Sequence, residues 1–269
     1  MKYDPVKNRL QTLLGDNPRI RTLFFIALGH LFLRSRYIHR KLRLLARKGF
    51  RPKTILDAGA GFGQYSVQMA KIFPEAQILA LDVKEDLVSA GNDFVQKMGL
   101  RKITFKTGDL LNIGYESRFD LVLAVDVMEH IQEDWIVFAN IGKSLTSGGY
   151  FLMTTPHYYP GHRQSSSESA VFTEEHVRPG YSRSELEEKL SEAGMRIEKC
   201  VITYGRCGGV AWKLLQKRPM SWLSGRPWLL PVVALYLGLV YPFAWVMMQL
   251  DMRMKNKTGG GIFIMARKR

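Results

Sequence analysis

ILDAGAGFGQYS, residues 55–66, sets three alternating glycines and a preceding aspartate directly behind a short apolar run. Thr54–Leu56 reads as a strand, and the stretch through Tyr65–Phe73 as the helix that follows it. A turn that joins the two while pressing its backbone against a ligand has no room for side chains, which accounts for the glycines. The spacing is not that of the dinucleotide fingerprint G-x-G-x-x-G. Gly59, Gly61 and Gly63 alternate instead, and Asp57 stands ahead of them. A carboxylate at the end of a strand repels a pyrophosphate but can pair with, or orient, a cationic amino group.

Outward from this turn, short β-rich runs alternate with helical stretches. Gln77–Leu81 leads to a helix through Leu87–Met98, and Thr104–Lys106, Leu121–Val125 and Tyr150–Thr154 read as further strands. A helix is expected near Trp135–Leu145, and another over Ser184–Ala193 with a serine cap and Gly194 as its stop. Arg196–Tyr204 and the terminal GGGIFIMARKR complete the strands. Repeated β-α units predict a mainly parallel sheet with helices on both faces, binding its ligand at the carboxyl ends of the strands.

With these segments in place, the chain resembles the class I S-adenosylmethionine-dependent methyltransferases, whose first motif reads D-x-G-x-G-x-G. The resemblance covers about Lys53–Tyr204 plus the closing strand, and its later part is similar to the ubiquinone-biosynthesis-like subgroup. It implies a Rossmann-like sheet, mainly parallel with the last strand antiparallel, and S-adenosylmethionine as cofactor. Asp57, Gly59, Gly61 and Gly63 form the first motif. Asp82 with Val83 closes the second strand, where an acid can hold both ribose hydroxyls. TGDLLN, residues 107–112, matches the adenine-side segment, with Asp109 able to accept from the exocyclic amine beside Leu110. FDLVLAVDVMEHI, residues 119–131, looks like the fourth strand and the segment beyond it, and places Asp126 at the cofactor. Asp126, Glu129 and His130 also fit the spacing of a divalent-metal segment in some quinone O-methyltransferases. The same letters recur in metal-free relatives, and no metal is expected here.

Methyl transfer to a hydroxyl needs a base. Candidates lie after the fifth strand: His157, Tyr158, Tyr159, His162 and His176. Histidine titrates near neutrality, which suits the task. His176 in EEHVRPG matches a position that often faces the acceptor in related enzymes and ranks first, with His157 second.

The flanks speak to the acceptor. The 269 residues carry a formal charge of +15, so an anionic partner is expected, nucleic acid or a membrane surface. No acidic residue occurs between Asp16 and Asp57, while residues 34–53 hold nine lysines and arginines. Phe24, Leu28, Leu31, Ile38, Leu42 and Leu45 can share a helix face among these cations, the pattern of an interfacial helix on anionic lipid, or of a cap helix on the core. WLLPVVALYLGLVYPFAWVMMQL, residues 228–250, has no charge. It is long enough to span a bilayer, but the closing strand must re-enter the same sheet, and Pro231 and Pro242 are expected to break it into a dipping helical hairpin. The organisation read from this is an N-terminal basic region over 1–52, a core over 53–205, an apolar insertion over 206–257 and a closing strand over 258–269. Cys200 and Cys207 suggest no metal framework and fit a reducing cytosol. A secretory leader is not expected, because residues 1–10 mix charges and the run over 23–33 lacks a small-residue cleavage site.

The reading is a methyltransferase on the cytoplasmic side of a membrane, peripheral or monotopic, acting on a lipid-like or quinone-like acceptor. An RNA or protein methyltransferase is the alternative that the charge favours. The basic run is interleaved with bulky aliphatics and no RNA-binding module is recognisable, so nucleic acid is the weaker partner. A non-catalytic membrane adaptor keeping the fold is the third reading.

Overall fold

The computed structural model describes residues 17–159 and 177–269. In chain order its elements are α1 (Pro18–Leu31), α2 (Leu33–Arg47), β1 (Thr54–Ala58), α3 (Gln64–Ile72), β2 (Gln77–Asp82), α4 (Glu85–Lys97), β3 (Ile103–Thr107), β4 (Phe119–Val125), α5 (Asp134–Ser144) and β5 (Leu145–Pro156). Then follow α6 (Arg183–Glu192), β6 (Met195–Thr203), α7 (Arg206–Trp212), α8 (Arg218–Leu223), α9 (Leu230–Arg253) and β7 (Gly261–Lys268). The strands form one seven-stranded sheet in the order β3-β2-β1-β4-β5-β7-β6. β1 to β5 run parallel, and β7 inserts antiparallel between β5 and β6. The order reverses between β1 and β4, so a crevice opens at the carboxyl ends of those two strands.

Each face of the sheet buries its own apolar layer. Ile38, Leu42, Met69, Phe105, Leu121 and Phe263 pack on one side, and Leu56, Val122, Phe138, Phe151, Tyr181 and Leu186 on the other. β-Branched and aromatic residues on both faces of the central strands are what a doubly covered parallel sheet demands. The cap of α6 is Ser182, whose Oγ accepts from the Glu185 amide at 3.2 Å, two residues before the expected helix start.

The N-terminal region departs from the single amphipathic helix read from the sequence. Phe32 adopts extended backbone (φ −102°, ψ 119°) and splits it into α1 and α2. Ile38, Leu42 and Leu45 then turn inward and join the core, so this half of the expected membrane face is a cap on the sheet. On α1, Phe24 and Phe25 lie edge-on to Phe62 and Phe94, while Ile20, Leu23 and Ile26 stay exposed.

The insertion also differs from expectation. Pro231 occupies the first turn of α9, where a missing N–H costs nothing, and Pro242 sits inside a helix that runs on for 24 residues. The segment over 228–250 is therefore not broken in two. The hairpin is formed instead by α9 returning against α7 and α8, which are joined by a π-helical turn at Lys213–Lys217. Leu33, Tyr37, Ala211, Leu215, Ala244 and Met248 make a third, small core that fastens this hairpin to α2.

Candidate cofactor and acceptor site

The glycine turn has the conformation its residues permit. Gly59, Gly61 and Gly63 all have positive φ, at 73°, 53° and 84°. A Cβ on Gly63 would lie 2.3 Å from the Phe105 ring, whereas one on Gly61 would point into open space. Gly63 thus serves internal packing, and Gly61 keeps a concavity clear. The Gly59 and Ala60 amides both donate to the Leu81 carbonyl, at 2.9 and 2.8 Å, which ties the turn to the end of β2.

Four acids stand at consecutive strand ends around this concavity. Asp82 Oδ2 accepts from the Gly61 amide at 2.8 Å, and its Oδ1 from the Lys84 amide at 3.1 Å. The Gly108 amide donates to the Asp82 carbonyl, so β3 delivers Asp109 beside it. Asp109 is exposed and caps a 3-10 turn by accepting from the Leu111 amide at 2.9 Å; Leu110 turns its side chain into the core, and Val83 lies exposed. Asp57 is buried under the turn and accepts from Ser66 Oγ at 2.6 Å. Burial pushes its carboxyl up to about 7, with the Asp82 charge adding to the rise against the Ser66 hydrogen bond.

Asp126 takes a left-handed backbone conformation (φ 52°) just past β4. Its Oδ2 pairs with Arg34 Nη1 at 2.6 Å, and its Oδ1 accepts from Thr154 Oγ1 at 2.9 Å. Nearby Glu129 is wholly buried. Its Oε2 accepts from Thr155 Oγ1 at 3.1 Å, and Oε1 has no hydrogen-bond partner among the described residues. Burial first, and the Asp126 carboxylate second, hold Glu129 far above the usual carboxylate range. Asp126, Glu129 and His130 do not converge as ligands: among the described residues no three of His, Cys, Asp or Glu form a metal-binding group.

His157 sits buried at the end of β5, with Nδ1 donating to the Gly259 carbonyl at 3.1 Å. A carbonyl can only accept, so the neutral ring keeps its basic lone pair on Nε2. His162 and His176 lie outside the described residues. Of the predicted positions, the glycine turn, Asp57, Asp82, Asp109 and Asp126 come together at the carboxyl ends of β1 to β4.

Sequence reading missed the wall that the N-terminal helices build. Arg34 reaches Asp126, its amide donates to Tyr204 Oη at 3.2 Å, and Ser35 bonds Tyr65 Oη at 2.9 Å. Arg21 Nη2 donates to the Phe62 carbonyl, inside the glycine turn, at 2.8 Å. The signal available was weak: Arg34 is one cation among nine.

Open space beside Gly61, with the half-buried Asp82 and the exposed Asp109 at the next two strand ends, is compatible with the S-adenosylmethionine site expected from the sequence. Comparison with known proteins agrees. A family model described as methyltransferase domain matches residues 51–212. The chain is similar to demethylmenaquinone methyltransferase of Bacteroides fragilis, 25% identical over 118 residues, 42% of this chain and 48% of that protein. It thus spans about half the length of that relative. In fold it is similar to a putative sarcosine dimethylglycine methyltransferase from Galdieria sulphuraria, with TM-score 0.64 and 19% identity over 87% of this chain and 86% of that one. It is also similar to Haemonchus contortus phosphoethanolamine N-methyltransferase 2 solved with S-adenosyl-L-methionine, with TM-score 0.58 and 19% identity over 85% and 52% of the two chains. With the matched model covering more than half of the sequence and the glycine turn and seven-stranded order in place, the chain belongs to the class I S-adenosylmethionine-dependent methyltransferases.

Proposed function

We propose that this methyltransferase acts on a hydrophobic, lipid-like or quinone-like acceptor at a membrane surface, on the cytoplasmic side, as a peripheral or monotopic protein. One observation carries the reading: α9 is apolar on both faces. Its inward stripe, Leu237, Tyr241, Ala244 and Met248, packs against the protein, and Val233 one turn earlier is buried. Its outward stripe, Val232, Leu235, Leu239, Phe243, Val246 and Leu250, is 39–75% exposed. A surface helix in water normally turns polar residues outward, and a contiguous apolar face of this length marks a binding surface. By length and composition α9 could cross a bilayer. The return of the chain into β7, beside β6, favours a hairpin lying in the interface instead. β6 ends and β7 begins at the cofactor side of the sheet, so the hairpin emerges beside the acceptor region. The quinone substrate named for the Bacteroides relative is consistent with a greasy acceptor.

In this reading Gly59, Gly61 and Gly63 cradle the cofactor, Asp57 faces its amino group, Asp82 its ribose hydroxyls and Asp109 its adenine amine, with Val83 and the Leu110 backbone alongside. The bound cofactor supplies an already activated methyl group. The protein's work is to align the acceptor, exclude water and take up a proton where the acceptor is a hydroxyl. His157, and His176 outside the described residues, are the proposed bases.

Two outcomes test this. Leu239→Gln removes one outward side chain whose burial in lipid is worth about 1.5–3 kcal/mol. Flotation with phosphatidylcholine–phosphatidylserine vesicles should then fall by about tenfold or more, with the melting temperature unchanged. Equal flotation would refute the membrane face, and a wild-type chain that dimerises through α9 without touching vesicles would assign the stripe to self-association. For the cofactor, Asp82→Ala should weaken S-adenosylmethionine binding by about 1–3 kcal/mol in calorimetry, the size of a hydrogen bond to a charged group. An unchanged affinity would remove Asp82 from the pocket.

A further inference from the structure

A second concavity lies away from the cofactor crevice, where α2, β6 and the last turn of α9 meet. It is a groove of about 670 Å³. Its walls carry Arg40, Lys41, Arg43 and Arg47 from α2 and Lys199 from β6. Among the described residues none of these five has a carboxylate within 4.0 Å. Burial, and then the like charges of Lys199, Arg40 and Lys48, hold Lys41 below its ordinary value. Cations gathered this closely without counter-charge repel one another, and an anion in the groove would relieve that repulsion.

The strand is shaped to add to this cluster. The pairing of β6 with β7 slips between Ile197 and Lys199, leaving Glu198 as the extra residue. Ile197 faces the core beneath α5 and α6, while Val201 packs into the layer under α2. In a regular strand the side chain on the α2 side at this level would be that of Glu198. The bulge brings Lys199 to that face as well, beside Glu198, the kind of re-aiming that bulges perform. Glu198 is left near Arg267, at 3.9 Å.

We propose that this groove binds the phosphate of an anionic lipid headgroup. The identity of the source rests on the membrane reading above. Met252, in the last turn of α9, lines the groove, so it opens at one end of the exposed apolar stripe. With that stripe in the acyl region, the groove stands at the depth of the phosphates. Its apolar lining from Leu44 and Val201 suits the glycerol side of a headgroup better than a fully hydrated ion.

The test compares charge-matched pairs in the full chain. Lys41→Gln with Lys199→Gln removes two groove cations, and Lys53→Gln with Arg101→Gln removes two exposed cations elsewhere. Lys199→Gln alone, at an exposed strand position, guards against misfolding of the pair. Flotation with phosphatidylserine-containing vesicles should drop about tenfold or more for the groove pair, clearly for Lys199→Gln alone, and at most about twofold for the outside pair. Glycerol 3-phosphate should raise the melting temperature of the wild-type chain and leave the groove pair unmoved. Equal losses from both pairs would overturn the groove and leave the membrane reading standing. Protection by glycerol 3-phosphate with no vesicle binding by any form would keep a phosphate groove but overturn the lipid source and the membrane reading together. Binding of RNA in place of vesicles through the same five residues would overturn the proposal.

Discussion

Asp57→Asn should stabilise the unliganded protein above neutral pH and at the same time weaken cofactor binding. Asp57 is fully buried, and its carboxyl titrates near 7 rather than near 3.8. The unfolded chain releases this proton near pH 4 and the folded chain near pH 7. Between those values the folded state holds more protons, so the Asp57 contribution to stability falls as pH rises and levels off above about 7. Ionising a carboxyl held this far above its ordinary range costs the fold about 4 kcal/mol at most, and Asn, uncharged and able to keep accepting from Ser66, should recover part of it. What the wild-type carboxylate gains is a partner for a cation above it. S-adenosylmethionine affinity should therefore rise roughly tenfold per pH unit up to about 7 in the wild type and be flat in Asp57→Asn, which binds about 10–100-fold more weakly at pH 7.5. Calorimetry from pH 5.5 to 7.5 and thermal melts at pH 5 and 8 measure both effects. A wild-type affinity independent of pH would show that Asp57 only supports the turn.

The part of this site that was legible in the sequence is the part made of short-range geometry. A strand, a turn of alternating glycines and a helix are local in sequence, and Asp82 and Asp109 follow because each closes its own strand. The N-terminal wall was not legible, for a physical reason. The run over 23–33 is apolar apart from His30, and Phe32 itself lies between two leucines, so nothing local marks Phe32 as the break between α1 and α2. Without that break Arg34 reads as one more surface cation, whereas with it Arg34 turns toward Asp126. Pro242 misled in the opposite sense. The local rule ends a helix at proline, but the inward stripe of α9 continues from Leu237 through Tyr241 to Met248, and this packing holds the helix together across the missing hydrogen bond. The bulge at Glu198 is likewise a product of how β6 meets β7 and leaves no mark in composition. The charge of +15 raised the expectation of an anionic partner without saying where one would bind. The fold adds that four helix cations and one strand cation face the same groove.

Asp134→Asn should cause the largest loss of stability, because Asp134 is where three elements are held together. It is 2% exposed. Oδ2 receives Arg178 Nη1 at 2.8 Å and Tyr181 Oη at 2.6 Å, and Oδ1 receives Lys189 Nζ at 3.0 Å. Arg178 also donates to the Ile131 and Gln132 carbonyls, both at 2.9 Å, and the Tyr181 hydroxyl shares its one proton between Asp134 and the Met128 carbonyl, 3.0 Å away. The acid at the start of α5 thereby fixes α6 and the segment before it against the turn that carries Glu129. Asparagine keeps the size but loses the charge, and it leaves two largely buried cations without their main partner. Breaking such a pair from one side costs about 3–5 kcal/mol, which for a domain of this size lowers the melting temperature by about 10 °C. Arg183→Gln, which breaks only the exposed pair with Glu187, should change it by no more than a degree or two, as surface pairs contribute little. The Val177 amide donates to the Glu129 carbonyl at 3.0 Å, so loosening this corner should reach the acceptor side first. Turnover should fall well before S-adenosylmethionine affinity does, because the glycine turn is tied to β2 and not to α5. A variant that melts with the wild type, or that loses cofactor affinity in step with turnover, would place the keystone of this corner elsewhere.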